Sequence, residues 1–124
     1  IFSFEATTKG VSMNDKGAGN IHKSLSNAQK KYLRKLSHDL NAVAFIGKEG
    51  LGENVYEAID SALESHELIK VKILNNSPVH KKEAAEAVPR TSGSTLVQLI
   101  GKTLILYRES KKIKKQDRIK LPRD

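Results

Sequence analysis

The 124-residue sequence has no cysteine and no tryptophan, and its aromatic side chains are three Tyr and three Phe. The missing cysteines exclude disulfides, thiolate metal sites and cysteine nucleophiles together. They fit a reducing compartment, so a cytoplasmic location is expected. No apolar run approaches the 18 or so residues that a membrane span needs. The first twenty residues, "IFSFEATTKGVSMNDKGAGN", lack the apolar core of a signal peptide, so no membrane partner is expected. So small an aromatic set does not suggest a base-stacking platform like that of an RRM; recognition mainly of backbone and shape is expected.

What the sequence does have is 38% hydrophobic residues, enough for one domain with one core, and a formal net charge of +8. The charge is unevenly placed. Residues 25–107 carry eleven Lys/Arg against nine acids, whereas residues 108–124 carry eight against three. A basic end on a nearly balanced domain suits an anionic polymer, and nucleic acid fits better than membrane because no amphipathic aromatic face accompanies the lysines. A monomer is expected.

Residues 1–24 show neither helical nor strand periodicity and read as a disordered segment. Position 1 is an isoleucine, so residues 1–12 are expected to be a leader foreign to the natural chain, which would begin at Met13. A single domain should then span residues 25–109, followed by a basic tail, 110–124.

In "LSNAQKKYLRKLSHDL", Ser26 and Gln29 form a capping-box pattern, and Tyr32, Leu33, Leu36 and Leu40 make an apolar stripe at helical spacing. The remaining surface of that helix carries Lys30, Lys31, Arg34 and Lys35. "AVAFI" (42–46) reads as a short buried strand. Residues 53–66 read as a second helix, with Val55, Ile59, Ala62 and Leu63 inward and an acidic stripe of Glu53, Glu57, Asp60 and Glu64 outward. "LIKVKIL" (68–74) alternates Ile69, Val71 and Ile73 with exposed Lys70 and Lys72, the period of a half-buried strand. Ser77 can cap a third helix with Pro78 at its first position, and Pro89 should end it near Ala87. Residues 95–100 and 103–107 read as a hairpin turning at Gly101-Lys102, with Ile119 and Leu121 able to add a short edge pairing.

The predicted fold is therefore α/β, in the order α-β-α-β-α-β-β, with one mixed four-stranded sheet and three helices. The predicted core is Leu33, Leu36, Val43, Phe45, Val55, Ile59, Leu63, Val71, Ile73, Val97, Leu99, Leu104 and Leu106.

Gly47-Lys48-Glu49-Gly50 sits where a strand hands over to a helix. The spacing is neither a Walker loop nor the dinucleotide fingerprint. It does provide a side-chain-poor loop at a helix N-terminus, where free N–H groups and the helix dipole favour an anion, with Lys48 adding charge. The glycines are expected to let the backbone approach a phosphate, as the Gly-x-x-Gly loop of KH modules does.

Together "LSNAQKKYLRKLSHDL", "IGKEGLGENV", "ALESHELIKVKI" and "LVQLIGKTLILYR", in this order and at these separations, resemble the CRM domain family (chloroplast RNA splicing and ribosome maturation) in its stand-alone bacterial, YhbY-like form. The resemblance covers about residues 25–123. It implies an RNA-binding protein with a fold similar to the C-terminal domain of translation initiation factor three. It also implies association with pre-ribosomal particles and precursors of large-subunit rRNA. Carried over to this chain, the implied RNA contacts are Gly47, Lys48, Glu49 and Gly50 in the loop and Lys30, Lys31, Arg34 and Lys35 on the first helix. Beyond what the resemblance carries over, Lys102 in the hairpin turn and Arg108 after the last strand are further expected RNA contacts.

Other classes leave weaker marks. His66-Glu67-Leu68-Ile69-Lys70 is like a zinc-protease motif but has lysine where the second histidine must be, and His22, His38, His66 and His80 lie at no recurring ligand spacing. No catalytic residue, metal or cofactor is expected. The alternatives are an adaptor that meets basic proteins of ribosomal precursors through the acidic helix 53–66, or a general RNA-binding or splicing-type factor.

Overall fold

A computed structural model describes residues 25–122. The expectations for residues 1–24 lie outside the described residues. The elements run α1 (Asn27–Ser37), β1 (Ala42–Ile46), α2 (Glu53–His66), β2 (Leu68–Ile73), α3 (Lys81–Ser92), β3 (Thr95–Ile100) and β4 (Thr103–Tyr107), then a 3-10 turn at Lys115–Asp117. The sheet order is β1-β2-β4-β3. β1 and β2 are parallel, joined by α2, while β4 is antiparallel to both β2 and β3. Three helices and a mixed four-stranded sheet thus appear in the predicted order.

Two layers of helix cover the sheet. α2 and α3 pack on one face, where Ile59, Leu63, Ala84 and Val88 meet Ile46, Val71, Ile73, Leu104 and Leu106, with Val55 and Leu99 half-buried at the margin. α1 packs on the other, where Leu33 meets Leu68, Val97, Ile105 and Tyr107. The helix begins at the capping box: Gln29 N–H donates to Ser26 Oγ and Ser26 N–H donates to Gln29 Oε1, both at 3.0 Å.

The predicted core is wrong at three positions. Val43 and Phe45 are 46% and 50% exposed because β1 buries its other face through Ala44 and Ile46, and Leu36 is 38% exposed because α1 buries Leu33 and Ser37 instead. An all-apolar run carries no alternation, so its phase is set only by pairing, with an irregularity between Ala42 and Ala44. α1 lies over β2, β3 and β4, so the outer face of β1 is left open.

The third helix also differs. It starts later, capped by His80, whose Nδ1 accepts from Lys82 N–H at 3.1 Å, while Ser77 Oγ instead accepts from Val79 N–H at 3.2 Å in a local turn. It passes through Pro89 and ends at Gly93 in the left-handed region. A proline so near the end forfeits one backbone bond, and the buried Val88 before it is held helical by the core.

Beyond β4 the chain folds back. Glu67, buried at the end of α2 with φ +65°, accepts from Ser110 N–H (2.8 Å, Oε2) and Ile119 N–H (2.7 Å, Oε1). Ile119 and Leu121 pack against the α1 cluster, and residues 119–121 form no strand. The expected edge pairing is absent there because the Ile119 N–H is taken by the Glu67 carboxylate.

Candidate nucleic-acid interface

Three turns meet at one end of the sheet. β1 runs into Gly47–Gly50, β2 into Asn75-Asn76, and β3 turns into β4 at Gly101-Lys102. Backbone bonds lock them side by side: Leu74 N–H donates to the Ile46 carbonyl (2.9 Å) and Ile73 N–H to the Lys102 carbonyl (2.8 Å). Lys102 Nζ lies 3.4 Å from Asn75 Oδ1, an exposed contact. Lys48 and Lys102 are therefore exposed cations at the same end.

The loop itself is closed by Gly50 N–H donating to the Gly47 carbonyl at 3.0 Å. Gly50 is glycine for internal reasons. It is buried, its φ is +74°, and a Cβ there would come within 3.3 Å of Val79 Cγ2. The expectation that this glycine clears space for a ligand is thus corrected: what it clears is the approach of the β2–α3 connection. The outward surface is carried by Lys48 and Glu49, and beyond them by Gly52, whose missing side chain faces open space. Gly52 is the N-cap of α2 and no side chain caps that helix. The N–H groups of the first turn therefore have no side-chain acceptor, the arrangement that favours an anion.

The α1 cations lie on a separate element. Counting 100° per residue, Leu33 and Ser37 mark the buried side, Lys31 and Lys35 the crest, Lys30 and Arg34 one flank, and Tyr32 with Leu36 the other. Leu36 and Val43 line a groove of about 550 Å³ with Leu40, His66 and Ile119, so the apolar flank is the one beside β1. Among the described residues no hydrogen bond or ion pair links these cations to the Gly47–Gly50 loop.

Arg108 has a different place. It follows β4 at the opposite end of the sheet, and its guanidinium pairs with Asp60 (2.8 Å) and Glu64 (3.1 Å) and donates to the Ser92 carbonyl (2.7 Å). At 18% side-chain exposure it is a staple between α2 and α3 rather than part of the loop surface. The same pairs consume half of the acidic stripe. Asp60 and Glu64 are engaged, Glu64 also by Lys112 at 3.7 Å, which leaves Glu53 and Glu57 as the stripe's exposed remainder. Nearby, burial pushes the Tyr107 hydroxyl up to about 12, helped by the charges of Glu67 and Glu109, so it stays protonated at neutral pH. Among the described residues no three His, Asp or Glu side chains are grouped to hold a metal ion, and no helix is long and apolar enough to cross a membrane.

The model of the CRS1 / YhbY (CRM) domain matches residues 25–108, from the start of α1 to the end of β4. This chain belongs to the CRM domain family. Its similarity runs nearly the full length of two bacterial relatives. It is 44% identical over 98 residues to the protein of Bacillus subtilis named "Probable RNA-binding protein YqeI", covering 79% of this chain and 99% of that one. It is 42% identical over 100 residues to a protein of Haemophilus influenzae named "RNA-binding protein", covering 81% and 97%. The solution structure of SAV1595 from Staphylococcus aureus superposes with a TM-score of 0.65 at 45% identity, covering 80% of this chain and all of that one.

The turn end of this CRM domain also carries two residues outside the sequence-derived set, Phe45 and Lys72. They are register partners on the parallel strands β1 and β2, and both are exposed. The alternation in "LIKVKIL" already placed Lys72 on an open face. The phase of β1, which brings Phe45 to the same face, has no counterpart in the sequence pattern.

Proposed function

We propose that this protein binds RNA without catalysing a reaction, and that it grips the RNA backbone with the turn end of its sheet and the crest of α1. Lys48 and Glu49, on the loop that Gly47 and Gly50 close, together with Gly52 present the N-terminus of α2 to a phosphate, Lys102 adds a second cation, and Lys30, Lys31, Arg34 and Lys35 extend the contact along α1. The observation that carries the reading is the pairing of an uncapped α2 N-terminus with two exposed lysines whose ammonium groups form no ion pair among the described residues. Membership of the CRM family and the names of its relatives support RNA as the partner. We further propose that the RNA is a precursor of large-subunit rRNA within a pre-ribosomal particle, that the protein acts as a monomer in the cytoplasm, and that it assists subunit assembly. Crosslinking in cells should then enrich one large-subunit rRNA region; a scatter of unrelated transcripts would remove the assembly role.

Gly52→Asp tests the phosphate site. The backbone at Gly52 is extended (φ −120°) and the space around it is open, so the variant folds and gains a helix cap. Its carboxylate occupies the position assigned to phosphate, so RNA affinity should fall about tenfold with no loss of thermal stability. Wild-type affinity and salt dependence in that variant would reduce the loop to a turn.

A further inference from the structure

The register of the four strands places one row of side chains across the end of the sheet next to the turns. Phe45 on β1 pairs with Lys72 on β2, Lys72 with Thr103 on β4, and Thr103 with Ile100 on β3. Alternation puts all four on the α1 side, because their neighbours Ile46, Ile73, Leu104 and Leu99 face α2 and α3. Further down the same face, Leu68, Ile105 and Tyr107 are sealed beneath α1. The end row is not. Phe45 and Ile100 are each 50% exposed, and Lys72 is exposed. An aromatic ring lies open on an edge strand, with a lysine beside it on a strand about 4.8 Å away. The row contains no acid.

We infer that Phe45 is a stacking platform for one unpaired base of the bound RNA, with Lys72 beside it to meet that nucleotide's phosphate. The inference rests on the RNA-binding reading above and specifies the form of RNA taken. Three observations favour a nucleotide over an apolar protein segment. The ring's register partner is a cation rather than another apolar residue. Thr103 supplies a hydroxyl at the next position, where a base edge or ribose can be hydrogen-bonded. The strand also leads straight to the loop: Gly47 lies two residues beyond Phe45, about 7 Å along a strand, so a chain stacked on the ring continues toward Lys48. Val43 and Leu36 carry the apolar surface the other way, toward a groove that includes Asp39, so the phosphates should run toward the turns.

Stacking requires a base released from its helix, whereas a duplex keeps its bases stacked on one another and offers phosphates only. The platform therefore makes the protein prefer unpaired RNA. This goes beyond backbone recognition, and one substitution separates the two. A fluorescein-labelled single-stranded RNA of about 12 nucleotides and its duplex are titrated with the full chain, wild type, Phe45→Leu and Phe45→Trp. Phe45→Leu should weaken single-strand binding about 5- to 30-fold and leave duplex binding and the salt slope within about twofold, while Phe45→Trp should keep or raise single-strand affinity. The half-exposed site tolerates both side chains, and a thermal melt checks it. Equal single-strand affinity of all three proteins would overturn the platform and leave the backbone reading standing. Failure of the wild type to bind either RNA would overturn the function proposed above. Self-association of the wild type that Phe45→Leu abolishes, with RNA affinity unchanged, would assign the face to a second copy and also overturn the platform.

Discussion

The two ends of the sheet use their charges in opposite ways. At the end marked by Glu67 and Arg108, charged groups are spent inside the molecule. The Glu67 carboxylate holds the N–H groups of Ser110 and Ile119, Arg108 holds Asp60, Glu64 and the Ser92 carbonyl, and Ser110 Oγ donates to the Glu64 carbonyl at 2.6 Å. At the turn end, Lys48, Lys72 and Lys102 face water, and what their side chains bond among the described residues is Asn75, 3.4 Å from Lys102. Formal charge alone cannot separate these ends, since each displays Lys or Arg in sequence. The difference is whether a partner sits within reach in the folded chain. A cation already paired and stripped of water is part of the scaffold, whereas a solvated one remains available to phosphate.

Substitutions should divide along the same line. The largest effect is expected for Glu67→Ala, which leaves two backbone donors without their acceptor in a buried site. Stability should fall by about 2–4 kcal/mol in denaturant melts, with RNA affinity of the folded fraction unchanged. A loss confined to affinity would erase the distinction between the ends. Arg108→Ala should cost about 1–3 kcal/mol by removing the α2–α3 staple, again without weakening RNA binding beyond about twofold. If its affinity instead drops while its melt is unchanged, Arg108 belongs to the RNA surface after all. The smallest structural change is expected for Lys48→Ala with Lys102→Ala. The double variant should melt like the wild type, yet the slope of log K against log salt should shrink by about 1.4 to 1.8 for two lost phosphate contacts. An unchanged slope would mean these lysines are only solubilising.

Local signals in the sequence were sufficient wherever the physics is local. Ser26 and Gln29 announced a helix start because the two donors and acceptors lie three residues apart, and "LIKVKIL" announced its buried face because lysine cannot be hidden at every second position. Gly101-Lys102 marked a two-residue turn through the need for positive φ, met at +57°. What could not be read depended on neighbours far along the chain. "AVAFI" has two equally apolar faces, and the choice between them is made by β2 and by the reach of α1. The end of α3 turns on whether burying Val88 outweighs one backbone bond lost at Pro89. The role of Arg108 depends on Asp60 and Glu64, more than forty residues earlier. For the same reason the loop and basic helix of the candidate site were legible as motifs, while Phe45 and Lys72 emerged only when two strands were set in register.

The position of β4 bears on how the chain comes off the ribosome. Among the described residues it is the last strand in chain order, yet it lies between β2 and β3. Until Thr103–Tyr107 has emerged, β2 has a partner on one side only and β3 has none, so nascent chains shorter than that leave open the two strand edges that β4 will pair. Insertion of this one five-residue strand closes both at once. Completion of the sheet is thereby deferred until β4 is out, and the interval before it is when a chaperone or an aggregating neighbour finds the domain most open.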